Sequence, residues 1–213
     1  MNVYFFSGLG ADSSVFRHIR LPQGYHPIYI DWISPLPNEP LSSYALRLAM
    51  KIDTSQPFSL IGLSMGGMIT VEIASHYQPV HLVLISSIPS STHLPPYYRA
   101  LAGIKLHKIL PISLFLKGAV LKRFFSTESI EDKKLIRHMI SKADPSFIRW
   151  GMEAIVGWQS KDIPANLVHI HGSRDEILPK HYTRPTYTIP GAGHLMILTR
   201  AKEINELLVK LFR

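Results

Sequence analysis

The feature that most constrains the fold of this chain is a sharp turn predicted at residues 62–66, which read Gly-Leu-Ser-Met-Gly. An apolar run at 58–61 precedes the turn and a helical pattern follows it, so the turn joins a β-strand to an α-helix. Glycines two places before and two places after Ser64 are needed because any side chain there would collide across the turn. The turn holds Ser64 in a strained backbone conformation and exposes its Oγ beside the N-terminus of the helix.

Other short apolar runs predict the rest of a sheet. Strands are expected at about 3–6, 25–30, 58–61, 80–85, 167–170 and 186–189, and helices at about 12–19, 41–52, 65–77 and 199–212. Strands that alternate with helices form a mostly parallel sheet with helices on both faces, which is an α/β fold. Ligand sites in such sheets lie beyond the carboxyl ends of the strands, where the strand order reverses.

A stretch between about 89 and 164 breaks this alternation, because strand signals stop and helical patterns replace them. Within it, Asp144 followed by Pro145 indicates the cap and the first position of a helix that runs to about residue 158. Another helix is expected to begin at residues 126–127. We interpret the whole stretch as a helical lid inserted after the fourth strand.

The composition indicates one globular domain that spans residues 1–213. Hydrophobic residues make up 46% of the chain and charged residues 18%, as in proteins with a packed core. No cysteine is present, which excludes disulfides, thiolate zinc sites and a cysteine nucleophile. Nothing in the composition indicates an oligomeric state.

The formal net charge of +8 would suit a nucleic acid or an anionic membrane as partner. However, the basic residues are scattered and never form a run of five, so neither partner is predicted. Charged residues and a proline interrupt the apolar stretch at 101–125, which argues against stable membrane insertion. The first residues lack the basic and apolar regions of a signal peptide, so a cytoplasmic location is expected.

Two later loops contain the base and the acid that a serine nucleophile needs. The fifth strand runs into His171-Gly-Ser-Arg-Asp175, and the sixth runs into Gly-Ala-Gly-His194. Both loops follow the carboxyl ends of strands, where the site of an α/β sheet is expected. Ser64, Asp175 and His194 also follow the chain order expected for this architecture.

The acid has two rivals nearby in the sequence. Glu176 and Asp162 compete with Asp175 for this role, and the spacing of the loop favours Asp175. His171 is interpreted as a structural neighbour of the site, because it lies at the end of the fifth strand. No cluster of His, Asp or Glu has the spacing of metal ligands, so neither a metal nor another cofactor is expected.

In these motifs the sequence resembles the α/β-hydrolase family, and the resemblance covers nearly the whole chain. The serine turn at 62–66, the acid loop at 171–175 and the base loop at 191–194 match the family in sequence and position. The segment at 6–10, Phe-Ser-Gly-Leu-Gly, resembles the family's His-Gly-x oxyanion loop, with Ser7 where histidine is common. The sheet begins at what is usually the family's third strand, and the lid lies where family caps are inserted.

The resemblance implies a serine hydrolase with a Ser64, Asp175 and His194 triad. It also implies that the backbone N–H groups of Leu9 and Met65 form the oxyanion hole. In this mechanism His194 takes the proton of Ser64 as Oγ attacks a carbonyl carbon, and Asp175 stabilises the charged imidazole. Water activated by the same histidine then releases the acyl group.

The substrate is predicted to be a small, apolar acyl compound. Phe115, Phe147, Trp150 and Met152 of the lid are candidates to line its pocket, and ordinary packing between lid and sheet is the alternative for all four. An ester or a thioester is the simplest target, although amide and C–C bond cleavage use the same triad. An acyltransferase, or a ligand-binding protein of the same fold with little turnover, is the second hypothesis.

Overall fold

A parallel sheet forms the centre of the computed structural model, which describes residues 1–103 and 129–213. The described residues contain six strands, β1 (Asn2–Phe6), β2 (His26–Ile30), β3 (Phe58–Leu63), β4 (Leu82–Ile85), β5 (Leu167–Gly172) and β6 (Tyr187–Ile189). Their order across the sheet is β2-β1-β3-β4-β5-β6, and every neighbouring pair is parallel. The predicted α/β fold with a six-stranded parallel sheet is confirmed.

The strand order places the reversal point between β1 and β3. From β1 the chain moves outward to β2 and then returns to the other side of β1 to form β3, after which it continues outward to β6. Phe6 at the end of β1 lies opposite Gly62, and Leu63 at the end of β3 lies opposite Ile85. The loops that follow β1 and β3 therefore share the crevice in which such folds bind ligands.

Helices flank the sheet on both faces. The described residues contain α1 (Leu41–Ala49), α2 (Met65–Ala74), α3 (Pro96–Gly103), α4 (Ile130–Lys142), α5 (Pro145–Val156), α6 (Lys180–Thr183), α7 (Met196–Thr199) and α8 (Ala201–Leu211). The sheet separates two hydrophobic clusters, and β1 shows why. Tyr4 and Phe6 pack with α1 and α2 on one face, whereas Val3 and Phe5 pack with α7 and α8 on the other.

One predicted helix differs from the structure in form, and another is preceded by a short helix that was not predicted. The pattern at 12–19 gives only a 3₁₀ turn, Ser13–Phe16, which the Asp12 side chain caps by accepting from the Ser14 backbone N–H. The helix predicted at about 199–212 is present as α8, and the short helix α7, which was not predicted, precedes it. They meet at Arg200, whose φ of −133° and ψ of 33° are not helical and interrupt the hydrogen-bond ladder.

The serine turn leads into a helix that is buried on almost every side. In α2 each residue from Met65 to Ile73 is buried, as expected of a helix that lies against the sheet beneath other helices. Even Glu72 is buried, and its Oε1 accepts a hydrogen bond of 2.5 Å from Trp158 Nε1. This packing fixes α2, and with it the position of the turn at its N-terminus.

The described part of the predicted lid contains α3, α4 and α5. Asp144 caps α5 by accepting from the Ser146 N–H, and Pro145 is its first residue, as predicted. The predicted helix start at 126–127 lies outside the described residues, and α4 begins at Ile130. The single-domain organisation and the lid boundaries of 89 and 164 stay predictions. Among the helices of residues 1–103 and 129–213, none has the length and apolarity needed to cross a membrane.

Replacing Gly62 with alanine should destabilise the fold by about 3 kcal/mol, because the close approach of backbone to backbone leaves no room. A Cβ at this position would lie 2.5 Å from Gly66 O and 2.5 Å from Gly67 Cα. For a chain of this length we expect Tm to fall by roughly 6–12 °C in a thermal melt. Gly24→Ala is the control, because a Cβ there meets nothing within 4 Å and only the φ of +88° costs energy. Its expected cost is about 1 kcal/mol, and equal losses in both variants would contradict the collision.

Candidate active site

Ser64 stands between the end of β3 and the start of α2 in a strained conformation. Its φ of 52° and ψ of −119° lie in a region that non-glycine residues rarely occupy. Hydrogen bonds hold the backbone there, because the Ser64 N–H donates to Ile85 O at 3.0 Å and the Ser64 carbonyl accepts from Gly67 N–H at 2.9 Å. Ser87 Oγ donates to the same carbonyl at 2.6 Å. The predicted sharp turn is therefore present, with Ser64 at its apex.

The loop that follows β1 lies directly against this turn. A Cβ at Gly66 would collide with the carbonyl oxygens of Phe6 and Ser7, and a Cβ at Gly8 would lie 3.4 Å from Ser64 Cβ. The spacing of glycines on both segments thus allows the two backbones to meet.

A hydrogen bond from Ser7 shapes the same loop. Ser7 Oγ donates to Ala11 O at 2.7 Å, and the same oxygen accepts from Trp32 Nε1 at 3.1 Å. The Ala11 N–H in turn donates to Gly8 O at 3.0 Å, which closes the loop as a turn. Ser7, which departs from the family's histidine, therefore has a structural role in this chain.

His194 connects Ser64 to Asp175. Its Nε2 lies 3.1 Å from Ser64 Oγ, and its Nδ1 lies 2.8 Å from Asp175 Oδ2. An ionised carboxylate can only accept, so Nδ1 carries the hydrogen and Nε2 presents its lone pair to the serine hydroxyl. This is the tautomer that a general base needs in order to remove the serine proton.

The carboxylate of Asp175 is buried and hydrogen-bonded at both oxygens. Oδ1 accepts from the backbone N–H groups of Ile177 and Leu178, both at 2.9 Å. Oδ2 accepts from His194 and also faces His171 Nε2 at 3.2 Å. Burial raises the pKa of Asp175, but the charge and hydrogen bonds of the two histidines lower it by more, so its pKa lies well below the ordinary value.

The rival acids lie elsewhere. Glu176 and Asp162 are both exposed, whereas Asp175 is 3% exposed and contacts His194. His171 is a neighbour of the acid, as the sequence suggested. The structure thus brings Ser64, Asp175 and His194 into one hydrogen-bonded chain, and their catalytic roles remain for a functional test.

The predicted oxyanion donors lie on the two segments that meet at Ser64. Met65 is the first residue of α2, where backbone N–H groups have no partner within the helix. Leu9 follows Gly8 in the loop after β1, and its side chain packs against α5 so closely that a Cβ at Gly151 would collide with it. The placement is compatible with two converging N–H groups, and the role of both donors stays a prediction.

The predicted pocket residues differ in their surroundings. Phe147 lines a cavity of about 270 Å³ beside the loop after β1. The other residues that line this cavity are Gly10, Ala11, Asp12, Trp32, Ile33, Ser34, Pro35, Met139, Lys142, Ala143 and Asp144. Phe115 lies outside the described residues. A larger groove, of about 890 Å³, lies along α8 and contains none of the three triad residues in its lining.

Trp150 and Met152 do not line the smaller cavity. Trp150 packs on Tyr44 with 4.3 Å between ring centroids, and its Nε1 donates to Glu39 O at 2.8 Å. Met152 is half-buried on α5. The packing alternative accounts for the contacts of Trp150, and a direct substrate contact for either residue stays a prediction.

The sequence did not predict two contacts of the site. Ser87, which supports the Ser64 carbonyl, follows β4, and the Ser86-Ser87 pair at a strand end next to β3 was the available signal. His169 lies two residues before His171 on the same face of β5, and their ring nitrogens Nε2 and Nδ1 are 3.0 Å apart. Across residues 1–103 and 129–213, no group of three or more His, Cys, Asp or Glu side chains is placed to hold a metal.

His169 should make stability depend on pH below neutrality. Burial, followed by the nearby His171, lowers the pKa of His169 to about 3, so this histidine stays neutral in the native state. In the unfolded chain it binds a proton below about pH 6.5, so the free energy of unfolding should fall as pH falls from 6.5 to 3. The slope from this one proton is about 1.4 kcal/mol per pH unit.

Urea unfolding at pH 7, 6, 5 and 4 measures this slope. His169→Phe should reduce the pH dependence by about one proton in that window, and His76→Phe, at an exposed histidine, should leave it unchanged. Equal slopes in the wild type and His169→Phe would show that His169 is protonated in the folded protein.

Comparison with known proteins adds family and fold information. The sequence model of the alpha/beta hydrolase family matches residues 3–207. A search of curated proteins gives no match. Solved structures match over almost the whole chain at low sequence identity, so they support the fold alone.

Three of these structures illustrate the likeness. MenH from S. aureus is 18% identical with a TM-score of 0.77, and the match covers 100% of this chain and 93% of that chain. A thermophilic esterase from Thermogutta terrifontis is 19% identical with a TM-score of 0.71, covering 100% and 91%. The enol-lactonase from Burkholderia xenovorans LB400 is 16% identical with a TM-score of 0.74, covering 99% and 90%.

Proposed function

The chain belongs to the alpha/beta hydrolase family, and on that premise we propose that it is a serine hydrolase which forms an acyl-enzyme intermediate. The observation that carries the proposal is the hydrogen-bonded chain from Asp175 through His194 to Ser64 Oγ. Acyl transfer needs three groups: a hydroxyl, an imidazole whose Nε2 lone pair faces that hydroxyl, and a buried carboxylate.

In the proposed reaction, Ser64 Oγ attacks the carbonyl carbon while His194 Nε2 accepts the hydroxyl proton across the present 3.1 Å contact. The imidazolium that forms is stabilised by Asp175, which already holds the hydrogen of Nδ1. His194 then gives its proton to the leaving group. Water, deprotonated by the same nitrogen, attacks the acyl carbon. The bond between this carbon and Ser64 Oγ breaks, His194 returns the proton to Oγ, and the acid is released.

Negative charge on the carbonyl oxygen develops next to the N-terminus of α2. We assign the N–H groups of Leu9 and Met65 as its donors, because their segments meet at Ser64. The helix dipole of α2 adds positive potential at the same point. Donors that are fixed in advance of the reaction supply the largest electrostatic part of such catalysis.

The proposed substrate is an ester or a thioester with a small apolar acyl group. The cavity beside the loop after β1 is the candidate site for this group. Trp32, Ile33, Met139 and Phe147 supply the apolar part of its lining, Asp12, Ser34, Lys142 and Asp144 supply a polar part, and none of the triad residues lines it. Its volume of about 270 Å³ suits a small group. Esterase and lactonase names among the structural neighbours are compatible with this substrate class.

Labelling with a fluorophosphonate tests the proposal directly. The wild type should gain the mass of one phosphonyl group, and peptide mapping should place it on Ser64. As the labelled fraction of the protein rises, the rate of hydrolysis of p-nitrophenyl esters and thioesters with acyl groups of two to eight carbons should fall in proportion. Ester binding without labelling or turnover would instead favour the ligand-binding alternative, and turnover with an unmodified Ser64 would contradict the proposed nucleophile.

A further inference from the structure

His171 is a second histidine on the carboxylate of Asp175. It lies near the end of β5 and is fully buried. Its Nε2 is 2.7 Å from Leu178 O and 3.2 Å from Asp175 Oδ2. Because the carbonyl and the carboxylate can only accept, this nitrogen must carry a hydrogen. Leu178 O is its shorter acceptor, and Asp175 Oδ2 is a longer second contact.

His169 fixes the orientation of this second histidine. Its Nε2 lies 3.0 Å from His171 Nδ1, and the two rings are nearly perpendicular, at 82°. With the hydrogen of His171 on Nε2, Nδ1 is the acceptor and His169 Nε2 is the donor. Within the described residues no hydrogen bond of ordinary geometry reaches the buried Nδ1 of His169, and the backbone of Thr183 is a polar group that faces this ring.

We propose that His171, held by His169, is a positioning residue for the triad acid, an inference that rests on the proposed serine-hydrolase function. Four donors surround the Asp175 carboxylate, and His171 is the one that shares Oδ2 with His194. Rotation of the carboxylate would break all four contacts. His171 therefore holds Oδ2 at the distance that orients the His194 ring toward Ser64.

The shared oxygen also sets how strongly His194 binds a proton. A hydrogen bond from His171 withdraws negative charge from Oδ2, the atom that stabilises the imidazolium of His194. Without this donor Oδ2 would face His194 alone and would favour the charged ring. His194 would then remain protonated, and unable to act as a base, up to a higher pH.

Other titratable groups face this network from neighbouring elements. Tyr97 and Tyr98 of α3 lie near Asp175, and burial raises the pKa of both, so they stay neutral between pH 5 and 9. His93, in the segment after β4, lies near His169; burial, followed by the charge of Arg184, lowers its pKa. The acid limb of the pH profile is therefore assigned to the His194, Asp175 and His171 cluster.

The pH dependence of kcat/KM distinguishes positioning from simple packing. His171→Met removes the donor and replaces the ring with an apolar side chain of similar length. His171→Gln instead retains an N–H near the position of Nε2. For His171→Met we expect the acid limb to move up by about 0.5–1 pH unit and kcat/KM at pH 6 to fall at least about tenfold. His171→Gln should recover the wild-type midpoint and lie within about threefold of wild-type kcat/KM.

Two results would overturn the inference. One is a folded His171→Met variant with the wild-type midpoint and rate. The other is a folded His171→Gln variant that loses as much as His171→Met, because a donor-independent loss indicates packing alone. His76→Gln, at an exposed histidine, controls for the change of residue type.

A measurement without turnover separates this inference from the proposed function. In a Ser64→Ala background, ¹⁵N NMR follows the pH midpoint at which the ring nitrogens of His194 titrate. His171→Met should raise that midpoint, and His169→Phe, which leaves His171 in place, should raise it by less. If His171→Met does not fold, the His169→Phe shift decides, and an unchanged midpoint overturns the inference. If the protein with Ser64 intact shows no hydrolase activity but the His194 midpoint still shifts, the proposed function is contradicted and the role of His171 is supported.

Discussion

Ser64→Ala is expected to lower kcat for ester hydrolysis by about 10⁴-fold or more and to abolish fluorophosphonate labelling. The nucleophile, base and acid act as a unit, so removing the nucleophile leaves only the weak catalysis that binding and oxyanion stabilisation give. The fold should survive, because the backbone bonds to Ile85 and Gly67 and the bond from Ser87 Oγ to the residue 64 carbonyl do not involve the lost hydroxyl.

Circular dichroism, a thermal melt and steady-state kinetics on the same preparation check this result. Ser59→Ala is the matched control, because Ser59 is a buried serine near the opposite end of β3. It should retain kcat within about twofold. If Ser64→Ala loses activity because it does not fold, the peptide map of the labelled wild type decides the assignment. A phosphonyl group on another serine in that map would contradict it.

Asp175→Asn should lower kcat by roughly 10³–10⁴-fold, because it puts an amide NH₂ among four donors. If the amide nitrogen faces His194, Nδ1 must accept and the hydrogen of the ring moves to Nε2, which can no longer take the proton of Ser64. If instead the nitrogen faces Ile177 and Leu178, one half-buried and one buried N–H group lose their acceptor. The first arrangement damages catalysis and the second damages stability.

The rival acids supply the controls for this variant. Asp162→Asn and Glu176→Gln remove the same charge from exposed carboxylates of the same region. Both should keep kcat within about twofold of the wild type in the ester assay. A loss in Glu176→Gln as large as that in Asp175→Asn would reassign the acid to the neighbouring residue.

Local sequence rules predicted the sheet and the turn well, for physical reasons. A buried parallel strand must be apolar on both faces, so the runs around 58–61 and 80–85 could be recognised directly. The glycines at 62 and 66 could be recognised because the turn has no room for a side chain there. The short helix α7 could not, since its four residues are too few to show a helical period.

The site was predictable where chain order and strand ends determine it. Asp175 and His194 follow strands whose carboxyl ends share one edge of the sheet, so proximity to Ser64 followed from topology. The Ser87 contact with the Ser64 carbonyl depends on how β4 sits beside β3, which periodicity does not report. The orientations of Phe147 and Trp150 depend on contacts with distant aromatic rings such as Tyr44, and no local pattern encodes them.

The tight fit between Leu9 and Gly151 makes the position of the loop after β1 depend on α5. Leu9 occupies the space that a side chain at Gly151 would need, so α5 braces the segment that carries one proposed donor. If the Leu9 N–H is a donor as proposed, a side chain added at position 151 should displace it and lower turnover without changing any residue of the triad.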